Sequence, residues 1–320
     1  MISVIIPIHN AERTLPVCLD SLQSQRFTDW EALLVDDGST DGSLEVARRY
    51  SRTDTRFRCF HQDNAGVSAA RNLGLRHATW EWVYLLDADD SLFDNAFDLF
   101  FHHVSPEYDA LVGGYVMVDE SGRVTYSVNE RAEISLSSEE SLRSQFRPLY
   151  YKYLGYAGGK FYRHSVIRDH GLTFDESIYH NEDRLFNVLF FCHSRRVLLF
   201  TEPLFRYFRH AESATESRLR RFDEKFMTSI DAMIVMNRAI RTAGYSHSLK
   251  RLIAGDTAYL YRVCRRLMKK DHRSDTESLC RMLRKKYRDT FSWTYYLLYI
   301  EKPALGDLLR KAGLLKTSRR

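Results

Sequence analysis

The sequence has no apolar run approaching the roughly 20 residues that a membrane-crossing helix needs, so no helical span is expected. Its opening, "MISVIIPIHN", lacks a basic stretch and a cleavage site, so no signal peptide is expected either. The cysteines (Cys18, Cys59, Cys192, Cys264, Cys280) form no CxxC pair and no zinc spacing, and they suit buried thiols in a reducing cytoplasm. No GxGxxG follows the first apolar strand and no GxxxxGK[ST] occurs anywhere. These absences argue against a dinucleotide-binding dehydrogenase and against a P-loop enzyme. Neither an internal repeat nor a low-complexity segment is present.

What the chain does have is 320 residues, 44% of them apolar and 28% charged, an ordinary globular composition with room for about two domains. The net charge of +5 is unevenly spread. Residues 216–320 hold 25 Lys and Arg against 11 Asp and Glu, a net +14, whereas residues 1–215 hold 22 against 31, a net −9. An acidic front and a basic tail suggest separate tasks.

The first hundred residues alternate strand and helix signals. Strands are expected at Ser3–Ile8, Glu31–Val35, Phe57–His61 and Trp82–Leu86. Helices are expected at Thr14–Gln25, Leu44–Arg52, Val67–His77 and Asn95–His103. This rhythm predicts an α/β fold with a doubly wound, mostly parallel central sheet. Residues 109–128 read as two strands around an Asp-Glu-Ser-Gly turn, and Ser137–Arg147 and Glu182–His193 as helices. "GGKFYRHSVI" reads as extended, as does Val197–Phe208 with Pro203 inside it. Beyond Thr215 only helix signals remain. The expected division is 1–215, with halves 1–105 and 106–215, followed by a helical extension over 216–320.

In open α/β sheets, ligands bind beyond the carboxyl ends of the strands. Here the first strand ends in Pro7-Ile8-His9-Asn10 and the second in Asp36-Asp37-Gly38-Ser39. "NAGVSAARN" follows the third, and the fourth runs into Asp87, Asp89 and Asp90. Each has an ordinary explanation as a cap or an Asx-rich turn. "DDGSTDGS" also resembles a calcium loop opened at Asp37, but its twelfth position is Arg48 where a bidentate Glu is required. Polar groups at four consecutive strand ends favour one shared rim. Carboxylates clustered there suggest phosphates that arrive with Mn²⁺ or Mg²⁺.

"SVIIPIHNAERTLPVCLDSLQSQ", "EALLVDDGSTDGS", "NAGVSAARNLGL" and "LLDADD" together resemble glycosyltransferase family 2, with its GT-A fold, over residues 1–100. A weaker resemblance runs through "YHNEDRLF" to "YFRH". The resemblance implies a nucleotide-sugar donor, a UDP sugar above all, at the rim. Pro7, His9 and Asn10 would lie at the base, with His9 standing where relatives often have tyrosine. Asp37 would accept the uracil N3–H and Asp36 would support that turn. Asn64, Gly66 and Arg71 would hold the nucleotide, Arg71 through a phosphate or a base edge. Asp87, Asp89 and Asp90 would form the D-x-D motif, touching the ribose and the divalent cation, and His210 would reach the metal. Asp183 would be the catalytic base of an inverting transfer, with Glu182 beside it, although both residues also suit the first turn of a helix. Lys160 would meet phosphate or acceptor, or simply face solvent.

The implied reaction is transfer of a sugar to a hydroxyl of a saccharide or lipid-linked acceptor, in cell-surface polysaccharide synthesis. The alternatives are a sugar-1-phosphate nucleotidyltransferase, which needs a Gly-rich, Arg-bearing loop after the first strand, and a non-catalytic relative. In the tail, "YRVCRRLMKK" and "RMLRKKYRD" interleave cations with Tyr, Leu and Met. They suit a solvated basic face or an anionic membrane surface, and no nucleic-acid motif accompanies them. The segment "FSWTYYLLYI" is too short to span a bilayer and suits the interface. The expected location is the cytoplasm or the inner face of its membrane.

Overall fold

Residues 1–119, 121–146, 154–208 and 222–291 are described in the computed structural model; His210 and most of "FSWTYYLLYI" lie outside them. Four apolar strands build the front of the sheet: β1 (Ile2–Ile8), β2 (Trp30–Asp37), β3 (Phe57–Gln62) and β4 (Trp82–Leu85). β2 pairs in parallel with β1 and β3, and β1 with β4. All four chains therefore leave the sheet on one edge. Helices α1 (Leu15–Gln23), α2 (Ser43–Thr53) and α3 (Val67–His77) return them. α3 lies close on β1: a Cβ at Gly74 would stand 2.3 Å from the Ile5 side chain, so only glycine fits.

The back half is mixed. It holds β5 (Ser91–Leu92), α4 (Ala96–His103), β6 (Ala110–Val118), β7 (Val124–Val128), β8 (Ile134–Ser137) and α5 (Ser138–Ser144). β9 (Lys160–Arg163), α6 (His164–Asp169), α7 (Glu182–His193) and β10 (Arg196–Phe208) complete it. The strand order is β3-β2-β1-β4-β9-β6-β10-β5, with β7 on β6 and β8 on β10. β9 runs antiparallel between β4 and β6. "GGKFYRHSVI" is thus extended only to Arg163, and its second half turns into α6. Pro203 interrupts the register between β10 and β6, as a missing N–H must.

Trp30, Trp82, Phe97, Phe100 and Phe161 are buried at the centre, each worth about 1.5–3 kcal/mol relative to exposure. Three long helices close the described chain: α8 (Thr228–Thr242), α9 (His247–Lys270) and α10 (Thr276–Phe291). Met233, Met236, Ile240, Leu249, Ile253 and Ala254 belong to the same continuous apolar core as the sheet. Arg184 of α7 adds a polar tie, donating to Asp256 of α9 at 2.6 Å. Among the described residues no helix is long and apolar enough to cross a membrane.

Candidate functional site

The rim is assembled by the loops that leave the parallel strands. Asn10 bends the chain out of β1 with φ 51°, a conformation that Asn tolerates. Its N–H donates to Ser39 Oγ at 3.1 Å and its Oδ1 accepts the Thr40 N–H at 2.8 Å. The Ala11 N–H donates to Ser43 Oγ at 2.7 Å, and Glu12 accepts the Gly42 N–H at 3.0 Å. "DDGSTDGS" is therefore a turn clipped to the loop after β1. Asn10 sits in those clips, and exposed His9 stands beside it, its Nδ1 3.0 Å from the Asp37 carbonyl. Pro7 remains inside β1, paired with Val35.

The two acids that end β2 differ in task. Asp37, 3% exposed, accepts from Gln62 Nε2, the Ala65 N–H and the Gly66 N–H, each at 2.8 Å. It thereby shapes the Asn64–Gly66 loop, where Gly66 takes φ 93°. Gly38 makes this approach possible: a Cβ there would stand 2.6 Å from the Asn64 nitrogen. Asn64 in turn lies 3.3 Å from the His9 ring. Asp36 is fully buried, its Oδ2 2.8 Å from His61 Nδ1 and 3.3 Å from the Ser39 N–H. Its Oδ1 has no hydrogen-bond partner among the described residues.

Arg71 is the residue whose placement differs most from expectation. It does not face open solvent for a phosphate; it is 4% exposed on α3. One arm donates to Asp183 Oδ1 at 2.6 Å and the other to Asp87 Oδ1 at 2.9 Å, with the Phe174 ring 5.2 Å from its centre. Burial opposes its charge, but Asp183, Asp87 and Glu182 together push its pKa above the ordinary value. One guanidinium thus joins the acid at the end of β4 to the acid in the first turn of α7. Asp183 Oδ2 also accepts the Ala157 N–H at 3.0 Å. Asn181 adopts φ 67° and its side chain does not cap α7, while Glu182 is buried in that first turn.

The D-x-D turn is held from below: the Leu86 N–H donates to Ile5 O at 3.1 Å, and the buried Cys18 thiol reaches Asp87 O at 3.6 Å. Asp87 and Asp89 are partly exposed. Asp90 instead turns inward, 4% exposed, and accepts the Phe208 N–H at 3.3 Å. Burial, then Asp89 and Asp87, push its carboxyl well above the usual range. No set of three or more His, Cys, Asp or Glu converges as a metal cage among the described residues. Two neighbouring partly exposed carboxylates nevertheless fit Mn²⁺ or Mg²⁺, which bind phosphates through one or two carboxylates and complete their shell with water. Asp90, enclosed, does not share that character. Lys160 is fully buried and neither meets the rim nor faces solvent.

Gln62, Ala157 and His61 complete this arrangement and carry no sequence signal of their own. Their partners stand 25 or 26 residues away: His61 and Gln62 face Asp36 and Asp37 across the β2–β3 register, and only the Ala157 contact depends on where a loop folds back.

A family model described as "Glycosyl transferase family 2" matches residues 3–171. The uncharacterized glycosyltransferase EpsJ of Bacillus subtilis is 30% identical over 217 residues, covering 68% of this chain but 63% of that relative. This chain thus spans under two thirds of that protein. Among solved structures, S. aureus TarS 1-349 in complex with UDP-GlcNAc has a TM-score of 0.66 at 20% identity, covering 95% of this chain and 92% of the other. Mannosyltransferase PcManGT of Pyrobaculum calidifontis, in complex with GDP-Man and Mn²⁺, has a TM-score of 0.51 at 16% identity, covering 97% and 87%. At these identities the likeness concerns the fold.

Proposed function

The chain belongs to glycosyltransferase family 2, and from that premise we propose that it transfers a sugar, with inversion, from a UDP-linked donor to a hydroxyl of a saccharide or lipid-linked saccharide. The observation that carries this reading is the Asp183–Arg71–Asp87 bridge, which sets a carboxylate on the acceptor side beside the acids on the donor side. The nucleotide lies along the rim formed by Pro7, His9, Asn10, Asn64 and Gly66. The Asp37 Oδ2, which accepts one bond from the loop, has a lone pair left for the uracil N3–H.

Asp183 takes the proton of the acceptor hydroxyl as its oxygen attacks the anomeric carbon. The bond from that carbon to the phosphate oxygen breaks, and its electron pair leaves with the nucleoside diphosphate. Arg71 holds Asp183 on one side and the Ala157 N–H holds it on the other, so its carboxylate keeps one orientation. Asp87 and Asp89 would hold Mn²⁺ or Mg²⁺, which would supply positive charge against the departing diphosphate. The test is UDP release from UDP-glucose, UDP-galactose and their N-acetyl forms, beside the GDP sugars. Release from at least one UDP sugar is expected, with a tenfold or greater loss in excess EDTA. Undiminished release in EDTA would sink the metal assignment.

The acceptor side extends to the basic helices. Arg262, Arg265, Arg266, Lys269 and Lys270 are exposed on α9 beside Tyr259, which is 58% exposed. Such a face suits the anionic inner surface of a membrane, where lipid-linked acceptors and a polysaccharide pathway would meet the enzyme. The full chain is expected to float with anionic vesicles at low salt and to dissociate as salt rises. Equal recovery with neutral vesicles would contradict this.

A further inference from the structure

Several buried polar groups with no part in the proposed reaction converge on residues 154–159, the loop that enters β9. Lys160 pairs through its backbone with Val112 of β6, while its side chain folds back over the loop it has just left. Its Nζ donates to Tyr156 O at 2.5 Å and to Gly158 O at 3.2 Å. Those two carbonyls flank Ala157, the residue whose N–H donates to Asp183. From the other side Asn187, one turn after Asp183 on α7, donates to Tyr156 O at 2.9 Å and Gly155 O at 3.2 Å. The Tyr162 hydroxyl lies 3.0 Å from Ala157 O and 2.7 Å from Asn187 Oδ1.

We propose that Lys160 is a positioning residue for transfer: it fixes the backbone on both sides of Ala157, so that the Ala157 amide holds the Asp183 carboxylate toward the acceptor. This rests on the reading of Asp183 as the base. The choice of residue supports it. An apolar side chain would fill the same space at less cost, since burying an amine in its charged form is expensive. Burial holds the Lys160 pKa down to about 7, with nearby Asp183 pulling the other way. A lysine buried at that cost supplies what a hydrocarbon lacks, donors for two backbone carbonyls. The loop also has little slack: Gly159 takes φ 74° and a Cβ there would stand 3.0 Å from Phe205. A small shift of a base away from its substrate is enough to lose as much as about a hundredfold in rate.

The test is a double-mutant cycle on UDP release from the UDP sugar that the donor screen selects, with water or acceptor taking the sugar. Lys160→Met is expected to lower kcat about tenfold or more, with donor KM within about twofold of the parent. In an Asp183→Asn background the same change is expected to cost less than about twofold, because the group it positions is already gone. Lys160→Gln, a shorter neutral donor, is expected to fall between the parent and Met. Equal kcat losses in both backgrounds would overturn the proposal, as would a loss confined to KM or no loss at all. If neither variant folds, Lys160 belongs to the fold and the positioning role is overturned. If Asp183→Asn itself keeps the parent rate, the base reading fails, whatever Lys160 does.

Discussion

Asp183→Asn is expected to reduce sugar transfer by about 10²–10⁴-fold while UDP still binds. The amide has nearly the shape of the carboxylate, and its oxygen can accept from Arg71 or from the Ala157 N–H. What it cannot do is take a proton from the acceptor. The donor half is expected to survive, because Arg71 keeps its bond to Asp87 and the rim from His9 to Gly66 is held by its own loop contacts. A cost in stability of about 1–2 kcal/mol is expected, since a bond from a guanidinium to a charged acceptor becomes one to a neutral acceptor. Transfer rate and UDP calorimetry on the same preparation decide the matter. A variant that binds UDP and transfers within a few-fold of the parent would remove Asp183 from the chemistry and direct attention to Glu182.

Arg71→Met should do damage of a second kind. The guanidinium is enclosed, and it stands between two acids that then face one another without a cation. Breaking a buried pair by removing one partner costs about 3–5 kcal/mol. Here Asp183 is 20% exposed and Asp87 45%, so water relieves part of the penalty and about 2–4 kcal/mol is expected. Activity should fall at least as far as in Asp183→Asn, because both halves of the site lose their common anchor. Arg71→Lys restores charge without the two-armed geometry and should recover stability better than rate. Urea titration and transfer assays read the two effects separately. An unchanged unfolding midpoint in the Met variant would mean that the bridge contributes nothing to the fold.

The parallel half of the sheet was legible because its cues are local. Trp82–Leu85 is a continuous apolar run, and Val67–His77 has the same limits in the structure as its pattern gives. β5, two residues long, and β8, four residues long, offer too few positions to show a period. The strand-end acids could be read as a rim because every parallel strand leaves on the same side. Which acid faces outward could not be read: Asp89 and Asp90 are adjacent in the chain, yet one is partly exposed and the other is enclosed against β10. The Arg71–Asp183 pair spans 112 residues, so no spacing rule reaches it. Lys160 was harder still, since a lysine in a Gly-rich stretch gives no sign that its amine will turn inward.

The continuity of the apolar core across α7, α8 and α9 sets the unit in which this chain can be exchanged or inherited. Met233, Met236 and Ile240 rest on the same core as Leu185 and Phe186 of the helix that carries Asp183, and Arg184 reaches across to Asp256. A crossover just after β10 would join the strand-rich front to a foreign tail that does not match α7. The mismatch would be felt one helical position from Asp183, not at a remote end of the molecule. Recombination that diversifies the acceptor side would therefore have to move α7, α8 and α9 together. The rim built from β1 to β4 and their loops could stay behind only where the incoming α7 still offers Arg71 an acid at the place of Asp183.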